Sequence, residues 1–278
     1  MAPATALQHG LSIANGPAFA VKETVEAAVA AEEAGWDGVF VSDSFEFGYS
    51  DPWTLLAAIA ARTERVRLGT WISGVAQQPP WRLAQQLATL DQLSNGRLLL
   101  GAGLGVRQDY ENFGEPYDAQ ALARRYDEAL EIIVGLWRGE PFSFDGEFFT
   151  VDGAVLPVVP VQQPRIPILI AGWWPSKPPF RRAARWDGIM PYWPALLGGA
   201  AGPEGQQPTG ASVEQELRAL MAYYHESADS PGEIVLPREQ HDPDFDALCA
   251  ELGATWLLTA YVVDIDGIRQ GPPPGPPT

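Results

Sequence analysis

Four groups of residues have types and positions that could do chemistry. Asp43 and Ser44 follow the apolar run Gly38–Ser42, so a carboxylate and a hydroxyl sit together at the end of a strand. They are the catalytic candidates, because a positioned carboxyl can take or give a proton. Ser73, Gly74 and Val75 end the run from Val66, and Gly103, Leu104, Gly105 and Val106 end the run from Arg97. Glycines 101, 103 and 105 alternate along that strand. Their missing side chains either let a flat ring or a backbone come close, or serve tight packing. The fourth group is Gly172, Trp173, Trp174 and Ser176, with Lys177 beside it, on a stretch that leads into a helix at Phe180. A helix start offers free N–H groups and partial positive charge, which suits a phosphate. An ordinary capped loop would look the same.

Other reactive types lead to little. His9, His225 and His241 fall in an N-terminal tail, a helix end and a loop, without metal-ligand spacing. Asp109 and Glu111 read as loop-surface charges rather than a glycosidase pair. Cys249 is the one cysteine, so no internal disulfide can form, and its helical pattern makes it a small buried hydrophobe. Trp53, Trp71, Trp173, Trp174 and Trp193 lie near these loops and could line an apolar pocket.

The elements that must position these residues alternate. Apolar runs at Leu11–Ala14, Gly38–Ser42, Val66–Ser73, Arg97–Ala102, Ile166–Ala171, Gly188–Pro191, Glu233–Leu236 and Thr255–Val263 read as strands. Between them lie helical patterns: Val21–Ala34, Trp53–Arg62, Trp81–Leu93, Ala121–Trp137, Phe180–Trp186, Val213–Glu226 and Asp244–Leu252. In the stretch Val66–Gly105, Pro79 and Pro80 open a helix and Ser94-Asn95-Gly96 stops it, which makes a βαβ unit and a parallel sheet. Arg107–Gln120 reads as a long loop, Glu140–Pro160 as a hairpin around Asp145-Gly146, and Ala195–Gly210 as a mobile loop. Eight strands with intervening helices predict a (β/α)8 TIM barrel of the α/β class. It is a single domain over residues 1–270 with insertions in the strand-end loops, followed by a Pro/Gly-rich tail, 271–278. An open doubly wound sheet is the alternative, but no Gly-x-Gly-x-x-Gly follows the first strand. Barrel sites lie at the C-terminal strand ends, and that rule selects the candidates above, with Thr259 and Tyr261 after the eighth strand.

At 278 residues and 46% hydrophobic, the chain can bury a large core. A formal charge of −17 argues against nucleic acid and anionic membranes. The start MAPATALQHG has no basic or long apolar region, so no signal peptide is expected, nor any membrane span, and a cytoplasmic location is.

The segments Asp51–Thr70, Pro79–Arg97, Leu98–Gly105, Ile166–Pro191 and Gly253–Trp256 resemble the luciferase-like, flavin-dependent oxidoreductases, in the family's order over most of the chain. The resemblance implies FMN, or alternatively the deazaflavin F420, at the mouth of the barrel, with its phosphate on the stretch Gly172–Phe180. It implies a monooxygenase using reduced FMN and O2 on a small-molecule substrate, with a separate flavin reductase as partner. The alternatives are F420-dependent hydride transfer and a degenerate, non-catalytic binder. It also implies a homodimer, and a non-proline cis peptide near Ser73-Gly74-Val75. This chain departs from the family at Ser44, where many members have His, and at Leu104 and Thr259, where some have charged residues. Serine cannot replace histidine as a proton carrier near neutral pH.

Overall fold

The computed structural model describes residues 7–17, 19–193, 210–230, 232–239, 241–262 and 264–273. Almost all of the expected loop at Ala195–Gly210, and the last five residues of the tail, lie outside them.

Eight parallel strands close into a barrel. They are β1 (Gln8–Ile13), β2 (Gly38–Val41), β3 (Arg67–Thr70, prolonged by β4, Ser73–Gly74), β5 (Leu98–Gly103), β8 (Ile168–Trp173), β9 (Gly188–Tyr192), β10 (Glu233–Arg238) and β11 (Trp256–Val262). Each pairs with the next, β11 pairs with β1, and β3 with β5, so no edge is left. The expected barrel is what the chain forms. Around it pack α1 (Val21–Glu33), α2 (Pro52–Ala60), α3 (Pro80–Leu93), α5 (Ala119–Leu136), α6 (Pro178–Ala183), α7 (Val213–Ser227) and α8 (Pro243–Glu251). The hairpin β6 (Phe142–Asp145) and β7 (Thr150–Ala154) forms where expected.

Large and small residues fill the barrel interior in turn. Phe40, Leu99, Leu169, Met190, Val235, Trp256 and Leu258 form one buried cluster with Trp71. Phe40 meets Trp256 edge to face at 5.9 Å. Gly38 and Gly69 make that room: a Cβ would come 2.8 Å from Trp256 at the first and 2.6 Å from Phe40 at the second. The larger apolar layer lies between strands and helices, where α3 contributes Leu83, Leu87 and Leu90 at helical spacing.

Side chains lace the N-terminal face of the barrel to backbone. Arg97, 8% exposed, donates to the carbonyls of Ala60, Thr63, Val66 and Ser94 and to Thr63 Oγ1. Glu32 accepts from the N–H groups of Glu64, Arg65 and Val66. Asp91 holds those of Val161 and Gln162, and Asp187 holds that of Ile168.

Five details differ from the sequence reading. The third strand is broken: Gly69 pairs with Leu99 but Ser73 with Ala102, so one extra residue is accommodated, as in a β-bulge. The non-proline cis bond lies there, at Trp71–Ile72, two residues before the expected place. Arg107–Gln120 is no plain loop. It holds one helical turn, α4 (Gln108–Glu111), and ends where the Asp118 carboxylate accepts from Gln120 and Ala121 N–H and caps α5. His9 is not in a tail: β1 starts at Gln8, and His9 is buried against β11. A final turn, α9 (Ile265–Ile268), had no periodic signal. Among the described residues no helix is long and apolar enough to cross a membrane.

Candidate functional site

Asp43 leaves β2 at the C-terminal mouth, where the Ser73 hydroxyl donates to its Oδ2 at 2.5 Å. Burial pushes this carboxyl up to about 6, against the pull of the Ser73 hydrogen bond, and the Asp51 and Asp109 carboxylates add to the rise. A half-buried acid with that affinity exchanges its proton near neutral pH. Histidine's place at Ser44 is thus not the only proton-handling position. Ser44 itself is buried, and among the described residues its Oγ has no hydrogen-bond partner.

Asn15, fully buried at the end of β1, fixes the Asp43 loop. Its side chain accepts from Ser42 N–H at 3.0 Å and donates to the carbonyls of Ser42 and Ser50. Its own carbonyl accepts from Ser50 N–H. Sequence reading passed over Asn15; the signal was an Asn directly after a strand and before Gly16. A strap ties the same loop to α4. Glu46 N–H donates to Asp109 Oδ1 at 2.6 Å, and Asn112 Nδ2 donates to Glu46 Oε2 at 2.8 Å. On this strap Phe45 and Phe113 meet edge to face at 4.9 Å while 71% and 61% exposed. Asp109 and Glu111 are therefore structural: Glu111 pairs with Arg107 at 3.2 Å.

The glycines answer to packing. A Cβ at Gly101 would lie 2.1 Å from the Thr70 carbonyl oxygen, and one at Gly103 3.1 Å from Ile72. At Gly105, whose φ is +87°, and at Gly74 the space is filled by Gln77. The missing side chains admit the chain's own atoms. Ile72, Leu104, Val106, Trp173 and Tyr192 stay partly exposed around the mouth. Trp71, Tyr192 and Trp173 form an aromatic wall: Trp71 and Tyr192 are 5.0 Å apart, and Tyr192 stacks on Trp173 at 6.2 Å with 9° between planes.

The structure separates other candidates from the mouth. Val75 is buried in the layer beneath the helices. Trp174 packs outward on Phe180 and Tyr223, and Trp53 and Trp193 belong to the same outer layer. Thr259 accepts from Arg238, whose guanidinium forms a buried ion pair with Asp246. The Tyr261 side chain lies outside the described atoms. The turn at Gly172–Ser176 offers fewer donors than its sequence suggested. α6 begins with Pro178 and Pro179, which have no N–H, and the Ser176 N–H is spent on the Trp173 carbonyl. Lys177 Nζ lies 3.5 Å over the Trp174 ring and 3.9 Å over Tyr223. Burial lowers its pKa. A separate cleft of about 600 Å³ between α7, α8 and the end of β10 is lined by none of the candidates.

The mouth fits a flat ring with polar edges. Trp71 Nε1 and Trp173 Nε1 are buried donors, and the Ser12 and Ser44 hydroxyls are buried, all without partners among the described residues. Such groups are costly unless something else satisfies them. Among the described residues no three His, Cys, Asp or Glu side chains could hold a metal ion.

Residues 3–191 match the family model described as luciferase-like monooxygenase. The chain belongs to the luciferase-like family. This luciferase-like chain is 36% identical over 174 residues to an F420-dependent glucose-6-phosphate dehydrogenase of Nocardia farcinica, covering 58% of this chain and 51% of the relative. A protein of the same description from Beutenbergia cavernae is 36% identical over 176 residues, covering 59% and 50%. The chain thus spans about half the length of these curated relatives. An F420-dependent secondary alcohol dehydrogenase, solved with an F420-acetone adduct, superposes with TM-score 0.75 at 18% identity, covering 95% of this chain and 96% of that one. A monooxygenase from Streptomyces bottropensis gives 0.72 at 21%, covering 94% and 95%. At those identities the likeness establishes the fold.

Proposed function

We propose that this chain is an F420-dependent oxidoreductase that moves hydride between the deazaflavin and a small organic substrate. The observation that carries this reading is Asp43, held by Ser73 at the mouth with its carboxyl raised to about 6. When bound, F420 supplies a two-electron hydride acceptor or donor. In the oxidising direction Asp43 would take the proton from the substrate hydroxyl, while bound F420 would supply the hydride acceptor. Ser73 holds the carboxylate in one orientation. Asn15 holds the loop that carries it. Ile72, Gly103, Leu104 and Trp173 would hold the ring, and the unpartnered Trp71 and Trp173 N–H groups would be the donors available to its polar atoms. Val75 and Trp174 have no part in it.

F420-dependent relatives at 36% identity favour F420 over FMN. The reading preferred from sequence, a monooxygenase with reduced FMN, O2 and a separate reductase, has less support and rests on the family description and fold neighbours. Asp43 also argues against a degenerate binder, because a proton-handling group survives without histidine at position 44. A cytoplasmic homodimer is part of the same proposal. The test is anaerobic titration of the purified protein with F420 and with FMN, followed by turnover with secondary alcohols read from F420 absorbance. F420 binding and reduction that vanish in Asp43→Asn support the proposal. Oxygen uptake with reduced FMN, and no F420 binding, would replace it with the monooxygenase.

A further inference from the structure

Two further carboxylates act on Asp43, and each is held by a backbone N–H. Asp51 caps α2, where it accepts from Thr54 N–H at 2.8 Å. Asp109, on the turn α4, accepts from Glu46 N–H at 2.6 Å. Flexible like charges would swing apart, whereas pinned ones keep acting on each other. Glu46 follows Asp43 closely in the chain, so the bond from Asp109 closes the loop that carries the acid. Asn112 Nδ2 closes it a second time, donating to Glu46 Oε2 at 2.8 Å.

The turn α4 reaches the ring side of the mouth as well. A helix this short has no stability of its own and needs anchors. Tyr110 is one: it is buried, and its hydroxyl donates to the Leu104 carbonyl at 2.5 Å. Tyr117 packs edge to face on the Tyr110 ring at 5.6 Å. Asp109 is thus bonded to the Asp43 loop, and the next residue to the loop that carries Leu104. Glu111, on the same turn, points its charge at Arg107 instead. The groups that act on the Asp43 carboxyl come from three elements. The Ser73 hydroxyl of β4 favours its charged form, while Asp51 at the cap of α2 and Asp109 on α4 favour its protonated form. We propose that Asp109 is a positioning residue for the proton transfer: from α4 it fastens the Asp43 loop and holds a negative charge near the acid. This deepens the proposed function and rests on it for the role of Asp43 as proton acceptor.

The test is titration of the Asp43 carboxyl in the full chain without cofactor, read by difference infrared absorption, with Asp43→Asn identifying the band. The pH profile of kcat/KM for F420 reduction is recorded beside it. In the unaltered protein added salt should lower the midpoint, because screening weakens the repulsion from Asp109. Asp109→Asn keeps an acceptor for the Glu46 N–H but carries no charge. Midpoint and kinetic inflection should both fall by about half a pH unit, with KM unchanged. Asp109→Glu should restore them, and Glu111→Gln should move neither, because Arg107 already meets that charge. A midpoint unmoved by salt and by Asp109→Asn overturns the inference: Asp109 is then a loop fastening only, and the F420 reading stands. A midpoint that moves as expected in a protein that neither binds nor reduces F420 upholds the effect of Asp109 on Asp43, and the proposed function is what fails.

Discussion

Replacing Asp43 with Asn separates two roles of one buried carboxyl. Its affinity for the proton rises from 3.8 to about 6 on folding, mainly through burial. The folded chain therefore holds this proton more tightly than the unfolded chain does. The stability that Asp43 contributes is full below pH about 4 and is lost as pH rises through about 6. Two units at about 1.4 kcal/mol each give about 3 kcal/mol, and partial exposure trims this to about 1–3 kcal/mol. Asn keeps an acceptor for the Ser73 hydroxyl but carries no charge. Asp43→Asn should thus be more stable than the parent at pH 8 by about 1–3 kcal/mol and equal to it at pH 4. Urea unfolding at half-unit steps of pH measures both curves. Activity should move the other way, falling by about 10²–10⁴ as a positioned base is lost. In the parent, kcat/KM for alcohol oxidation should rise with pH through about 6, because the carboxylate is the active form. If the two unfolding curves have the same pH slope between 4 and 7, the burial argument is wrong.

Ser73→Ala removes the one hydrogen bond that lowers the Asp43 affinity, so the pH–rate inflection should move up by about one unit. An unmoved inflection means that Ser73 is only packing. Asn15→Ala leaves the Ser42 N–H and carbonyl unpaired in a buried place and should cost about 2–4 kcal/mol in denaturant melts. Gly101→Ala drives a methyl to 2.1 Å from the Thr70 carbonyl and should cost about 3 kcal/mol, with loss of soluble protein as a second sign.

The barrel was legible because each strand–helix pair carries its own punctuation. Pro79-Pro80 before α3 and Asn95-Gly96 after it bound that helix without reference to the rest of the chain. The break in the third strand was not legible. A continuous run from Val66 to Ser73 has no residue that marks an extra one, and only pairing with β5 reveals the slip. At the site, strand order alone led to Asp43, Ser73, Gly103 and Trp173. It could not separate inward from outward at a strand end, so Val75 and Trp174 were drawn in although they pack under helices. Nor could it show that the Asp43 carboxyl is raised to about 6, since that follows from burial and from Asp51 and Asp109, which are brought near it by the fold. Asn15 and the strap were missed for the same reason: their partners are 27 to 66 residues away.

Arg97 and the carboxylates Glu32, Asp91 and Asp187 all work on the N-terminal face, where they bind backbone at the end of the barrel opposite the mouth. The mouth borrows little from them. A lineage carrying this chain can therefore rewrite its strand-end loops, one substitution at a time, while the opposite end of the barrel keeps the fold. Evolvability here is a matter of distance: novelty accumulates at one pole because tolerance is underwritten at the other.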